Sequence, residues 1–196
     1  MKIIDGLKLE GWQVEIPDCG RDDLPEFFKE MGFKVGAEIG VYKGGYSETL
    51  CKAGLKLYSI DPWFYPDLPF KNRGEEINYK RTQSRLAPYD CAVIRKTSME
   101  AVKDFANDSL DFVYIDGNHD FMHTTEDIWE WSKKVKRGGI ISGHDYIISG
   151  GDCHVKYVLD AYTKALKIEK WYILGERFAS NGEKRDKERS WFWIKQ

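Results

Sequence analysis

Four places in this sequence gather side chains that can bind a ligand or move a proton, and each follows a short apolar run. Glu38 and Gly40 close the run 35–41. Asp61 follows 56–60. Asp116, Asn118 and His119 follow 110–115, and His144 and Asp145 follow 140–143. A carboxylate can accept hydrogen bonds from hydroxyls or hold a cation. A histidine titrates near neutral pH and can serve as a general base. Two carboxylates with a histidine can also hold a divalent ion that lowers the pKa of a bound hydroxyl. Taken singly, each place has an ordinary explanation: Asp61-Pro62 starts turns, Asp116-Gly117-Asn118 is turn chemistry, and a half-buried histidine is common. Together they point to one rim, provided that the apolar runs are strands of one sheet.

The elements that must position them alternate. The run 35–41 is short and partly β-branched, so it reads as a buried strand, and Tyr46 to Ala53 reads as the helix after it. Further strands are expected at 56–60, 91–94, 110–115, 140–143, 171–174 and 191–194. Helices are expected at 24–31 (capped by Asp22 or Asp23), 72–86, 98–105, 123–135 and 153–168. Residues 1–21 read as a cap or lid over one end of the sheet. The aromatic stretch 63–70 reads as a loop with a greasy surface, and Glu183 to Arg189 as a solvated hairpin loop. Strands alternating with helices imply an α/β, doubly wound, mostly parallel sheet with helices on both faces. The last two strands have no helix between them and should pair antiparallel at one edge. In such sheets ligands bind outside the carboxyl ends of the strands.

The first strand ends in Glu38-x-Gly40-x-x-x-Gly44 and runs into a helix. A bare backbone turn under a helix N-terminus admits a ligand close to the main chain, and its free N–H groups favour polar or anionic ligand groups. Asp61 lies 23 residues after Glu38, a spacing that suits hydrogen bonds to ribose hydroxyls. The pattern lacks the G-x-G-x-x-G pyrophosphate cradle, which argues against NAD or FAD. An acid inside the turn repels a pyrophosphate and tolerates a cationic ligand.

At these residues the sequence resembles a known family. Glu38-Ile-Gly40-Val-Tyr42-Lys-Gly44 looks like motif I of class I S-adenosylmethionine-dependent methyltransferases. Asp111-Phe-Val-Tyr-Ile-Asp116-Gly-Asn-His119, followed by Asp127, Trp131, Arg137-Gly-Gly139 and Gly143-His144-Asp145-Tyr146, is similar to the subgroup called methyltransferase family 24. The resemblance covers roughly residues 33–168. It implies a seven-stranded sheet of order 3-2-1-4-5-7-6 with the last strand antiparallel. It also implies roles. Glu38, Gly40, Tyr42 and Gly44 hold the methionine end of S-adenosylmethionine, and Asp61 binds its ribose. Ser98 and Met99 lie by adenine, and Asp116 at the junction of cofactor and acceptor. Asp116, His119 and His144 carry the chemistry. Asp116, His144 and Asp145 match a metal position in relatives similar to catechol O-methyltransferase. Histidine heads that pair here, a departure from the pattern. A metal held by these carboxylates would be magnesium or manganese rather than zinc, but only two carboxylates are on offer and His144 is a poor magnesium ligand, so a histidine base is the default.

The remaining bounds are broad. The 196 residues are 42% hydrophobic and 14% aromatic, with a net charge of -2 from 30 basic and 32 acidic residues. This reads as a single globular domain over 1–196, with a cap and helix over 1–32 and a core over 33–196. The charge balance gives no nucleic-acid footprint. No apolar run is long enough for a bilayer, and the N-terminal residues do not form a signal peptide. Cys19, Cys51, Cys91 and Cys153 form no C-x-x-C pair and read as reduced thiols of a cytoplasmic protein. The function expected is transfer of a methyl group to a small-molecule acceptor, at oxygen. A metal-dependent hydrolase built on Asp116, His119, His144 and Asp145, or a cofactor-binding module without catalysis, are the alternatives. Assembly into homo-oligomers is left open.

Overall fold

The computed structural model describes residues 1–64, 72–148, 151, 153–175, 186 and 188–196. In chain order its strands are β1 (Gln13–Ile16), β2 (Val35–Ile39), β3 (Lys56–Ile60), β4 (Cys91–Ile94), β5 (Leu110–Ile115), β6 (Val135–Gly143), β7 (Trp171–Leu174) and β8 (Trp191–Ile194). The helices are α1 (Ile3–Gly6), α2 (Leu24–Glu30), α3 (Gly45–Lys52), α4 (Asn72–Leu86), α5 (Ser98–Ala101), α6 (Phe121–Lys134) and α7 (Val155–Ala165), with 3₁₀ turns at Arg21–Asp23 and Val102–Asp104.

The sheet has eight strands in the order β1-β7-β8-β6-β5-β2-β3-β4. β8 runs antiparallel to both its neighbours, and every other pairing is parallel. Without β1 this is the 3-2-1-4-5-7-6 order expected from the sequence. The eighth strand is a correction. Residues 13–16, expected within a cap, alternate exposed and buried and extend the sheet alongside β7. The β7–β8 pair is therefore antiparallel as expected but is not the edge.

Alternation along the strands divides the core. On β5, Phe112 and Tyr114 face the layer of α1, α2 and α3, while Val113 and Ile115 face that of α5, α6 and α7. β7 and β8 divide in the same way, Tyr172 and Phe192 on the first side and Trp171, Trp191 and Trp193 on the second. Period-two burial on both faces is what two covering layers require. One stack shows how tightly the layers meet. Phe28 of α2 lies on Phe112 at 4.2 Å between ring centroids. A Cβ on Gly36 would come within 2.3 Å of the Phe112 ring, so the ring lies flat on bare backbone. Each such ring contributes about 1.5–3 kcal/mol by leaving water.

Several bounds depart from sequence. β6 starts at Val135, within the expected helix 123–135 and ahead of the expected strand 140–143, and α7 spans Val155–Ala165 rather than 153–168. α6 begins at Phe121, where Asp120 accepts a hydrogen bond from the His123 N–H at 2.9 Å. Asp23 precedes α2 without capping it by its side chain, which turns back to accept from the Gly20 N–H at 2.9 Å. Among the described residues no helix is long and apolar enough to cross a membrane.

Candidate active site

The parallel strands β2, β3, β5 and β6 place their carboxyl ends along one rim. The turn after β2 has positive φ at Gly40 (87°), Tyr42 (53°) and Gly44 (72°). Gly40 is obligatory here for a reason beyond φ. A Cβ there would sit 2.1 Å from the Asp116 carbonyl oxygen and 2.6 Å from the Gly117 Cα. The missing side chain lets the β2 turn lie directly against the end of β5, where the Asp116 N–H donates to the Ile39 carbonyl at 2.7 Å.

Four amides of this turn are not free, which corrects the sequence expectation for them. The Gly40 N–H donates to Ile60 and the Gly44 N–H to Val41, both at 2.9 Å. The Val41 and Tyr42 N–H groups donate to Asp61 Oδ2 at 3.0 and 2.9 Å. Asp61 Oδ1 accepts from the Trp63 N–H at 2.7 Å, and the Trp63 indole donates to the Tyr42 carbonyl at 2.7 Å. Asp61 is therefore a clasp for the turn. The Tyr42 ring itself is exposed.

Glu38 is buried, and its carboxylate accepts from the Ser47 hydroxyl. Ser59 donates to Ser47 at 2.9 Å and lies 3.3 Å from the Cys91 sulfur. Burial pushes the Glu38 carboxyl well above the ordinary carboxylate range, against the opposing pull of Ser47. Ser98, expected by adenine, turns its hydroxyl inward to Asp127 and accepts from the Trp131 indole at 2.8 Å. Burial raises Asp127 to about 6. Met99 is half-buried against the core.

The rim beyond is a ring of alternating charge. Asp145 Oδ2 lies 3.1 Å from His119 Nε2 and 3.4 Å from His144 Nδ1. Asp116 Oδ1 lies 3.5 Å from His119 Nε2 and 3.9 Å from His144 Nδ1. Asp145 holds this position at φ 64°, a strained conformation for a non-glycine residue. His144 Nε2 lies 2.8 Å from Asp186 Oδ1. Burial alone would depress the His144 imidazole, but Asp145, Asp186 and Asp116 outweigh it and carry it up to about 10. Burial raises Asp116. It pushes Asp145 the same way, yet His144 and His119 prevail and hold that carboxyl below its usual range. Asp116, chiefly, raises His119.

Three participants, Asp186, Arg189 and Arg21, were not legible in the sequence. Asp186 falls in the stretch expected to be solvated, yet it is buried and accepts from the Arg21 and Ser190 N–H groups at 3.0 and 2.9 Å. Arg189, in the same stretch, is also buried, with its guanidinium 2.9 Å from Glu15. Residues 183–185 and 187 of that stretch, and the loop 63–70 from residue 65 on, lie outside the described residues. Arg21, from the segment before α2, brings its guanidinium 3.5 Å from Asp116 Oδ2. Asn118 keeps to turn duty, accepting from the Asp120 N–H at 3.2 Å. Among the described residues, three sets each converge donor atoms within 4.8 Å: Asp116, His144 and Asp145; His119, Asp145 and Cys153; and His144, Asp186 and Glu188.

A family model described as a methyltransferase domain matches residues 37–146, more than half of the chain. An uncharacterized protein of Sinorhizobium fredii, y4gI, is 27% identical over 116 residues, which is 55% of this chain but 12% of that protein. The chain thus spans a small fraction of the length of the curated relative it matches. Among solved structures, the O-methyltransferase TomG from Streptomyces achromogenes, involved in tomaymycin synthesis and in complex with S-adenosylmethionine, superposes with a TM-score of 0.62 at 13% identity, over 90% of this chain and 79% of that one. An O-methyltransferase from Bacillus cereus in complex with S-adenosylhomocysteine gives 0.60 at 14% identity, over 89% and 80%. At such identities the likeness is one of fold.

Proposed function

This chain belongs to the methyltransferase-domain family, and from that premise we propose that it transfers a methyl group from S-adenosylmethionine to an oxygen atom of a small-molecule acceptor. The observation that carries the reading is the charge of the rim. Asp61, Asp116 and Asp145 line the carboxyl edge, and the amides of Gly40, Val41, Tyr42 and Gly44 are already bonded within the protein. Such a donor set suits a ligand that carries positive charge and hydroxyls, and disfavours a dinucleotide. The residues fit the cofactor: the Glu38–Gly44 turn and Asp116 for its charged half, and Asp61 for its ribose. Asp61 Oδ1 accepts one bond among the described residues and keeps a lone pair for a hydroxyl.

When bound, the cofactor supplies an electrophilic methyl on a sulfonium that is its own leaving group. The protein's part is position and a deprotonated acceptor. His144 is a poor choice of base, because carboxylates face both of its ring nitrogens. His119 is better placed. It is more exposed, its Nε2 faces the rim, and Asp116 and Asp145 flank the imidazolium that would form. The role of His144 is then to hold Asp145 in place. A divalent ion would be held by Asp116, His144 and Asp145, with Asp186 orienting the far nitrogen of His144, and would lower the pKa of the acceptor hydroxyl. The hydrolase alternative gives the glycine turn and Asp61 a structural duty alone and no ligand to meet.

Calorimetry with S-adenosylhomocysteine and with NAD tests the cofactor, and tight NAD binding without a response to S-adenosylhomocysteine would overturn the reading. Screening hydroxylated acceptors with radiolabelled cofactor tests the transfer. His119→Ala should abolish it with cofactor affinity unchanged. Loss of turnover on chelation would assign the hydroxyl's activation to a metal.

A further inference from the structure

Beside the acceptor rim three loops converge that the proposed reaction uses only in part. His119 follows β5, Asp145 follows β6, and Cys153 precedes α7. The third is brought to the first by backbone: the His154 N–H donates to the His119 carbonyl at 2.8 Å. The Cys153 sulfur lies 3.8 Å from the Asp145 carbonyl. One nitrogen, one carboxylate oxygen and one sulfur thus come within 4.8 Å of one another. A second observation points to a ligand. His119 Nε2 is shielded from solvent and has no hydrogen-bond partner, although two carboxylates lie within 3.5 Å. A buried ring nitrogen near acceptors but aligned with none is what an electrophile at the centre of the set would satisfy.

We propose that His119, Asp145 and Cys153 form a binding site for a zinc-class divalent cation, distinct in its ligands from the Asp116–His144–Asp145 position and sharing only Asp145 with it. The softness of the donors sets the class of ion. An imidazole and a thiolate favour zinc or cobalt over magnesium, which prefers oxygen. Three protein ligands leave a fourth tetrahedral position open. Binding replaces the Cys153 S–H bond by a metal–sulfur bond and takes up the His119 Nε2 lone pair in a metal–nitrogen bond; the thiol proton, and with a charged His119 the imidazolium proton as well, leave to solvent, with no change of oxidation state. The ion would also engage the His119 nitrogen, so its occupancy and the use of His119 as a base exclude one another. The site itself does not depend on the methyl-transfer reading, and its test needs no turnover.

The test is a cobalt titration of the full chain after treatment with chelator and reductant. One equivalent of cobalt should give tetrahedral visible bands and a sulfur-to-cobalt charge-transfer band. One equivalent of zinc should remove both, and excess magnesium should remove neither. Cys153→Ser should abolish the charge-transfer band, and His119→Asn should keep it. Since partners beyond the ligands themselves are worth about 10–100-fold in metal affinity, each substitution should weaken zinc by about 100-fold or more. Should either variant fail to fold, alkylation of the wild-type chain decides instead: zinc should protect Cys153 from iodoacetamide, as read by peptide mass. A charge-transfer band that survives Cys153→Ser, cobalt displaced by magnesium, or Cys153 alkylated equally with and without zinc would each overturn the proposal.

Discussion

Replacing Asp61 by alanine separates its two duties, because one is visible in stability and the other in ligand affinity. The carboxylate accepts from the amides of Val41, Tyr42 and Trp63. Val41 and Trp63 are buried, at 5% and 1% exposure, so water cannot readily replace those two bonds; Tyr42, at 57%, can be rehydrated. A hydrogen bond to a charged group is worth about 1.5–3 kcal/mol, and the lower end applies because Asp61 is itself half-exposed, so two such bonds come to about 3 kcal/mol. For a domain of this size that is a fall in Tm of roughly 6–12 °C. Asp61→Asn keeps one acceptor oxygen and should lose about half as much. Urea unfolding of both variants, with calorimetry against S-adenosylhomocysteine, gives the two readouts. If the carboxylate also meets ribose hydroxyls, affinity falls by about tenfold to a hundredfold beyond any loss of folded protein. A variant within about 0.5 kcal/mol of wild type would refute the clasp, since surface substitutions commonly fall in that range. An unchanged dissociation constant would remove Asp61 from the ligand.

Three further outcomes follow from the same geometry. Gly40→Ala forces both a left-handed φ and a clash with the Asp116 carbonyl; the strain alone costs about 1–3 kcal/mol, and thermal unfolding should show at least that loss. Glu38 has a folded pKa above its unfolded one. Its contribution to stability is therefore fully present below the ordinary carboxylate range and lost as pH rises toward the folded value. Glu38→Gln should thus gain on wild type across that rise in paired unfolding curves, and parallel curves would show Glu38 to be ionised in the fold. Asp186→Ala leaves His144 facing a buried gap and removes acceptors from the Arg21 and Ser190 amides; it should cost about 3–5 kcal/mol by urea unfolding, as breaking a buried ion pair does.

Elements with strong local periodicity were legible from sequence alone: β3, β4, β5, β7, β8 and α4 stand at the expected residues. β1 was not, because four residues carry two apolar side chains and their partner β7 lies far along the chain. The rim positions were legible because the carboxyl ends of parallel strands are fixed by topology. What those side chains touch was not. The Glu183–Arg189 run looks solvated by composition, and nothing local announces that Asp186 pairs with a histidine 42 residues earlier. The turn amides were expected to be free because a glycine turn under a helix N-terminus is bare in sequence, and the distance of Asp61 along the chain hides that it reaches back over the turn. Arg21 shows the same limit: its contact with Asp116 spans 95 residues.

The place of β8 has a consequence for how the molecule is made. Among the described strands β8 is the last in sequence, yet it lies between β6 and β7, and of those strands it alone joins the β7–β1 pair to the rest of the sheet. Until Trp191–Ile194 is in place, β1 and β7 have no seat, and Asp186, just upstream, cannot reach His144. Strands β2 to β6 can pair first, whereas the far side must wait for contacts of long sequence separation, which form slowly. During synthesis, then, the half that supplies the glycine turn assembles early, and the acceptor rim matures only after β8 has been made. In the finished protein the same connectivity should make β1, β7 and β8 open together, and their amides should exchange hydrogen as one cooperative unit ahead of β2 and β5.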